Sequence, residues 1–183
     1  MKMKISQLTM IAMLLSAASI MAQNYDLTKH PGYVDLDQIQ IPKGAGDVTE
    51  VTLGPELLRA LSAITGAETG MAQFNDLFSI RVKSFEINPE IAEDLYPVFE
   101  KIEKKLQKEG WAQLVRVKKN DEEHTNVSIK YGKKGEMEGL VVMTVDPYDE
   151  AAFVNIIGSI NLKDLGFLGD HINGSALDSL GNL

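Results

Sequence analysis

Residues 111–158 read WAQLVRVKKNDEEHTNVSIKYGKKGEMEGLVVMTVDPYDEAAFVNIIG, and this stretch decides the fold. Side chains alternate with a period of two through Trp111–Lys118 and again through Asn126–Tyr131, the signature of strands. Met137–Val145 is apolar on nearly every residue past Gly139, so it reads as a central strand covered on both faces. Phe153–Ile157 is the last strand. Three short polar turns, Lys119–Glu123, Gly132–Glu136 and Asp146–Glu150, separate these runs. Turns that short join neighbours only in antiparallel fashion, so the stretch is a meander.

Upstream, Pro89–Glu109 carries Ile91, Leu95, Val98, Phe99, Ile102 and Leu106 at helical spacing. Asn88 suits the N-cap, Pro89 the first turn and Gly110 the stop. Acidic residues near the start and Lys101, Lys104, Lys105 and Lys108 near the end complement the helix dipole. Pro97 is discordant, and a kink or break is expected there. Phe78, Ile80 and Val82 form one strand face. Phe85 and Ile87 have the opposite parity, which implies a bulge near Lys83–Ser84 or a strand buried on both faces. Val48–Leu53 is a β-branched strand. After Gly54 and Pro55, Leu57, Leu58, Leu61 and Ile64 mark a second helix. The expected order is β-α-β-α-β-β-β-β: an α+β domain, a mostly antiparallel sheet with two helices packed on one face.

Residues 48–168 are the domain and 23–47 a lead-in broken by Pro31, Gly32, Pro42, Gly44 and Gly46, with a short extended piece at Tyr33–Leu36. Residues 169–183, rich in Gly, Asn and Ser, read as a flexible tail. Residues 1–22 have the layout of a signal peptide: Lys2 and Lys4, the apolar run Leu8–Ile20, then cleavage expected after Ala22. The run is too short and interrupted to span a bilayer. The mature chain is therefore expected to be exported, periplasmic or secreted. It has no cysteine, so it is not a lipoprotein and forms no disulfide. The chain carries a formal charge of −8, and loss of the two leader lysines makes it more acidic. Such a surface repels phosphate backbones and anionic headgroups, so no nucleic-acid partner and no membrane insertion are expected.

No catalytic or cofactor motif stands out. His30, His124 and His171 are scattered, without the convergent ligands that zinc needs. Asp35 and Asp37, and the acidic turns Asp121, Glu122, Asp146, Asp149 and Glu150, lack a calcium-loop register and read as solvated turns. There is no GxSxG; Ser159 and Ser175 have no base nearby in sequence. Neither catalytic, metal nor cofactor-binding residues are assigned, and the chain reads more as a non-enzyme than an enzyme. Trp111, the one tryptophan, reads as core. Asn126 and Asn173 begin glycosylation sequons, and Asp178-Ser179-Leu180 resembles a short bacterial O-glycosylation motif with Ser179 as acceptor.

Glu50–Leu168, with "EVTLGPELLRAL", a tryptophan after the long helix, "IKY", a glycine-led apolar strand and "NIIGSINLKDL", resembles the DUF4252 family of exported Bacteroidetes proteins. The resemblance implies an α+β domain without established activity, and a weak link to envelope regulation. Many relatives carry a lipobox cysteine, which this chain lacks. Three functions follow as expectations. The first is a non-enzymatic binding or envelope-response protein whose protein partner adds a strand to a sheet edge. The second is a small-ligand carrier with a pocket lined by Phe99, Trp111 and Met143 between helices and sheet. The third is a hydrolase with a spatially assembled site.

Overall fold

The structure, a computed structural model, describes residues 26–65, 76–119 and 123–159. The elements are β1 (Val48–Leu53), α1 (Pro55–Thr65), β2 (Leu77–Glu86), α2 (Pro89–Lys108), β3 (Ala112–Lys118), β4 (His124–Tyr131), β5 (Met137–Val145) and β6 (Glu150–Gly158). The six strands form one sheet in the order β1-β2-β6-β5-β4-β3, antiparallel at each pairing. The α+β class, the element order and the meander are those the sequence led us to expect.

The helices do not share a face. Along β5, Val141, Met143 and Val145 pack with Ile91, Leu95, Phe99, Ile102 and Leu106 of α2. Leu140 and Val142, of opposite parity, pack with Leu58 of α1. Side chains of alternate parity point to opposite faces, so α2 lies on one face and α1 on the other. The cause is legible in β5 and β6, which are apolar at both parities: a sheet core buried on two sides requires two covers. The same rule settles β2. Its register against β1 is unbroken from Val48↔Phe85 to Leu53↔Ile80, and no bulge falls at Lys83–Ser84. The strand is instead lined on both faces, with Phe85 in the α2 cluster and Ile80 in the α1 cluster.

A bulge does occur in β3, between Gln113 and Val115. It overturns the expectation that Trp111 and Val115 share a face. Trp111 joins the α2 cluster and Val115 packs with the other, because one extra residue reverses parity beyond it.

In α2, Asn88 Oδ1 accepts the Ile91 N–H at 2.9 Å and Pro89 opens the helix. Gly110, at φ +77°, ends it. Pro97 does not interrupt the helix, against expectation. It lies on the exposed side, where water can hydrate the carbonyl it leaves unbonded. Pro97→Ala restores that bond and is expected to stabilise the protein by about 1–3 kcal/mol in chemical denaturation.

The lead-in, set apart from the domain by sequence, is seated on it. Val34, Leu36 and Ile39 are buried in the α2 cluster, and Gly32, Val34 and Leu36 alternate inward. Gly32–Ile39 is a strap lying across the α2 face of the sheet, outside its hydrogen-bond ladder: extended through Tyr33–Leu36, then closed by a turn in which the Ile39 N–H donates to the Leu36 carbonyl at 3.1 Å.

Candidate functional site

Two arrangements hold the polar residues of the α2 face. The first holds the strap. Asn155, buried in the middle of β6, accepts the Val34 N–H at 2.8 Å and donates to the Gly32 carbonyl at 2.9 Å and the Leu140 carbonyl at 3.2 Å. On β2, Arg81 donates to the Val34 carbonyl at 3.2 Å, forks onto both Asp37 carboxylate oxygens at 3.1 Å, and lies 5.4 Å from the Tyr33 ring centroid. Lys83 donates to the Ile39 carbonyl at 3.2 Å and pairs with Glu50 at 2.8 Å. Arg81 and Lys83 share the face of Ser79, whose buried hydroxyl has no hydrogen-bond partner among the described residues. The strap's main chain is thus held by side chains, which supply grip, while Val34, Leu36 and Ile39 fill the apolar positions that set which segment fits.

Where the strap crosses β5, Gly32 meets Gly139 backbone to backbone. A Cβ on Gly32 would stand against the Glu138 carbonyl and 2.8 Å from Gly139 Cα. A Cβ on Gly139 would stand 3.1 Å from Trp111 Cη2. Side chains are excluded at both positions, and the crossing abuts the one tryptophan. His30 anchors the strap's start: its Nδ1 accepts the Gly32 N–H at 3.0 Å, and its ring lies 5.1 Å from that of Phe78. The three residues expected to line a pocket, Phe99, Trp111 and Met143, are brought into one buried cluster, and Val34, Leu36 and Ile39 of the strap belong to that cluster too.

The second arrangement lies between α2 and β3–β4. Glu103 is buried; its carboxylate accepts from Asn126 Nδ2 at 2.8 Å and from Arg116 at 3.0 Å. Ser128 donates to Asn126 Oδ1 at 2.7 Å. Beside them Lys118 donates to Glu100 at 3.0 Å, and the Tyr96 ring stacks on His124 at 4.1 Å. The Lys118 hydrogen bond and charge hold the Glu100 carboxyl below its usual range. The network resembles an active site in composition only. Its members satisfy one another, and the cavity lined by Phe99, Glu100, Glu103, Arg116, Val117, Lys118 and His124 is about 10 Å³, no more than one water's room.

Sequence reasoning missed this network. Asn126 and Ser128 alternate with Val127 and Ile129, which reads as a solvated face, yet every residue from His124 to Ile129 is buried. The polar face lies under α2. The available signal was Glu103, which falls on the helix's apolar stripe three residues before Leu106 and four after Phe99. The burial of Asn126 also removes its sequon from solvent.

His124 has a pKa below its ordinary 6.5, through burial first and the Lys118 charge second. Burial likewise lowers His30. Below the ordinary value the unfolded chain takes up these protons before the folded one, so stability is full above about pH 6.5 and falls as pH drops toward the lowered values. His124→Phe is expected to flatten that dependence in denaturation curves, leaving the part due to His30; an unchanged slope contradicts the assignment.

A further groove, about 650 Å³, is lined by Gln38, Pro97, Ile102 and the Lys101, Lys104, Lys105 and Lys108 side of α2 together with Glu100 and Glu109. Lysines there complement the carbonyl end of the helix. Asp37 is engaged by Arg81 and Asp35 accepts the Asp37 N–H at 3.0 Å, so this pair serves a turn. Among the described residues no group of three or more His, Asp and Glu side chains gathers as a metal site. No described helix is long and apolar enough to cross a membrane. Ser159 is exposed and its N–H donates to the Asp76 carbonyl at 3.0 Å. Ala22, Asp121, Glu122, His171, Asn173, Ser175 and Ser179 lie outside the described residues.

Comparison with curated proteins and with solved structures finds no match for this chain. A family model does match, over residues 43–168, from just before β1 to beyond β6. The chain belongs to that family, described as Domain of unknown function (DUF4252).

Proposed function

We propose that this chain is an exported, non-enzymatic binding protein of the cell envelope, periplasmic or secreted, with a binding or envelope-response role. Its site is the groove that the strap fills. One observation carries the reading: Asn155, Arg81 and Lys83 hold the strap by its main-chain groups. A groove that grips main chain accepts another extended segment once its own leaves. With the leader cleaved after Ala22, the strap lies close to the new N-terminus and can peel away without disturbing the sheet. The satisfied network around Glu103 favours a non-enzymatic role, since it leaves no space for a substrate.

The carrier reading uses the same place. Phe99, Trp111 and Met143 offer an apolar floor for a small ligand when Val34, Leu36 and Ile39 withdraw. Affinity capture from envelope extract separates the two, with Gly32→Ala as the open-groove form and a synthetic strap peptide, residues 30–42, as competitor. A protein retained more by Gly32→Ala and displaced by the peptide supports the main reading. An extracted small molecule with no protein supports the carrier. Turnover of an envelope substrate, or retention indifferent to both variant and peptide, overturns the groove as the site.

A further inference from the structure

The sheet has two edges, and they are treated differently. β3 carries Arg116 and Lys118, each tied to a carboxylate of α2, and is bulged at Gln113/Val115. Charges and bulges are the usual means of keeping an edge from pairing with another chain. β1, VTEVTL, has fewer of them: one charge, no lysine, no proline, and an unbroken register with β2. Its one charge, Glu50, is drawn inward to Lys83 on the neighbouring strand. Five of its six residues are exposed, among them Val48 and Val51. Glu86 N–H bonds to the Asp47 carbonyl, and main-chain groups alternate in direction along an antiparallel strand. Val48, Glu50 and Thr52 therefore turn their N–H and C=O groups outward, away from β2.

We infer that β1 is a self-pairing edge: two copies of this chain join antiparallel through Val48–Leu53 into one twelve-stranded sheet, with Val51 on the two-fold axis. The register follows from symmetry. A two-fold axis normal to the sheet keeps each face continuous, so residues opposite one another share parity and one residue meets itself. Centring on Glu50 sets carboxylate against carboxylate, which is unfavourable. Centring on Val51 sets Val51 against Val51, Thr49 against Leu53 and Glu50 against Thr52, with no like charges opposed. In that register Glu50 and Thr52 exchange the outward main-chain bonds. Val51 and Leu53 of both copies extend the apolar surface that already holds Leu53, Val82 and Ile80. The occupant is a second copy because in this register the strand meets itself with no like charges opposed and with Val51 and Leu53 of both copies on one shared apolar face. The edge touches the strap groove through Lys83 alone among the described side-chain contacts, since Lys83 pairs with Glu50 and donates to the Ile39 carbonyl; the outward main-chain groups of β1 take no part in that groove.

Sedimentation of the mature chain over a concentration series tests it, with cysteine cross-linking as the register probe in a chain that has no cysteine of its own. The expected result is a mass that doubles with concentration, and a single-chain mass at all concentrations for Val51→Lys, whose folded spectrum matches wild type. On oxidation Val51→Cys cross-links, since a non-hydrogen-bonded pair brings Cα atoms to about 4.5 Å, within disulfide reach. Glu50→Cys and the opposite-edge Leu114→Cys do not. A wild-type chain that stays monomeric overturns the inference, as does cross-linking through Glu50→Cys or Leu114→Cys in place of Val51→Cys.

Discussion

Gly32→Ala will unseat the strap. The added methyl has no space between the Glu138 carbonyl and Gly139 Cα, both of which are backbone in a central strand and cannot move aside. Overpacking of a rigid core costs about 1–3 kcal/mol, and more where backbone is the obstacle. The strap, a short segment held mainly by side chains, is the part that yields. The expected outcome is a loss of about 3 kcal/mol in denaturant unfolding, with Trp111 emission shifted to the red because Trp111 loses the cover of the crossing. Gly54→Ala is the matched control: its Cβ would meet only Glu56 Oε2, at 3.8 Å, and stability should change by no more than about 0.5 kcal/mol. Unchanged emission and stability in Gly32→Ala would contradict the described crossing.

Asn155→Ala should act on the same segment from the other side. One buried amide serves three main-chain groups, and removing it strands the two that lie outside the sheet ladder, the Val34 N–H and the Gly32 carbonyl, while Leu140 stays paired with Ile156 in the β5–β6 ladder. Leaving buried groups unpaired costs about 1–3 kcal/mol each, partly recovered if the strap lifts and water reaches them, so a net loss of about 3 kcal/mol is expected. Asn155→Asp keeps the acceptor for Val34 but turns a carboxylate oxygen toward two carbonyl oxygens. At neutral pH it should be less stable than Asn155→Ala. The reverse ranking would mean that the amide does not donate to those carbonyls.

Both predictions concern a segment that the sequence conceals. The strap alternates Gly32, Val34 and Leu36 inward, but Pro31, Gly32, Pro42, Gly44 and Gly46 give it the composition of a linker. Its partners are more than forty residues away in sequence for Arg81 and Lys83, and further for Asn155. Short-range pattern could not join them. The meander was legible because period and turns are local, as were the caps of α2 at Asn88 and Gly110. The side of the sheet that each helix covers was not legible, because an apolar stripe specifies burial without naming the surface that buries it. β4 misled for the converse reason: polar alternation marks solvent only where no helix lies above, and Glu103 supplies a polar partner from such a helix. The bulge in β3 moved Val115 to the opposite face from Trp111 without any glycine or proline to announce it. Of the expected site, Phe99, Trp111 and Met143 do converge; what the sequence withheld was that the chain's own strap joins them.

Hydrogen exchange at the Val34 amide is the most direct measurement of whether the strap is both seated and releasable. We expect Val34 to be protected, because its N–H is buried against Asn155, yet to exchange well before the amides of β5 and β6, by local opening of the strap. Exchange at the rate of an unstructured peptide would show that the strap does not occupy the groove. Exchange only together with β5 and β6 would show that it cannot leave without global unfolding, and the groove could then not serve as a binding site.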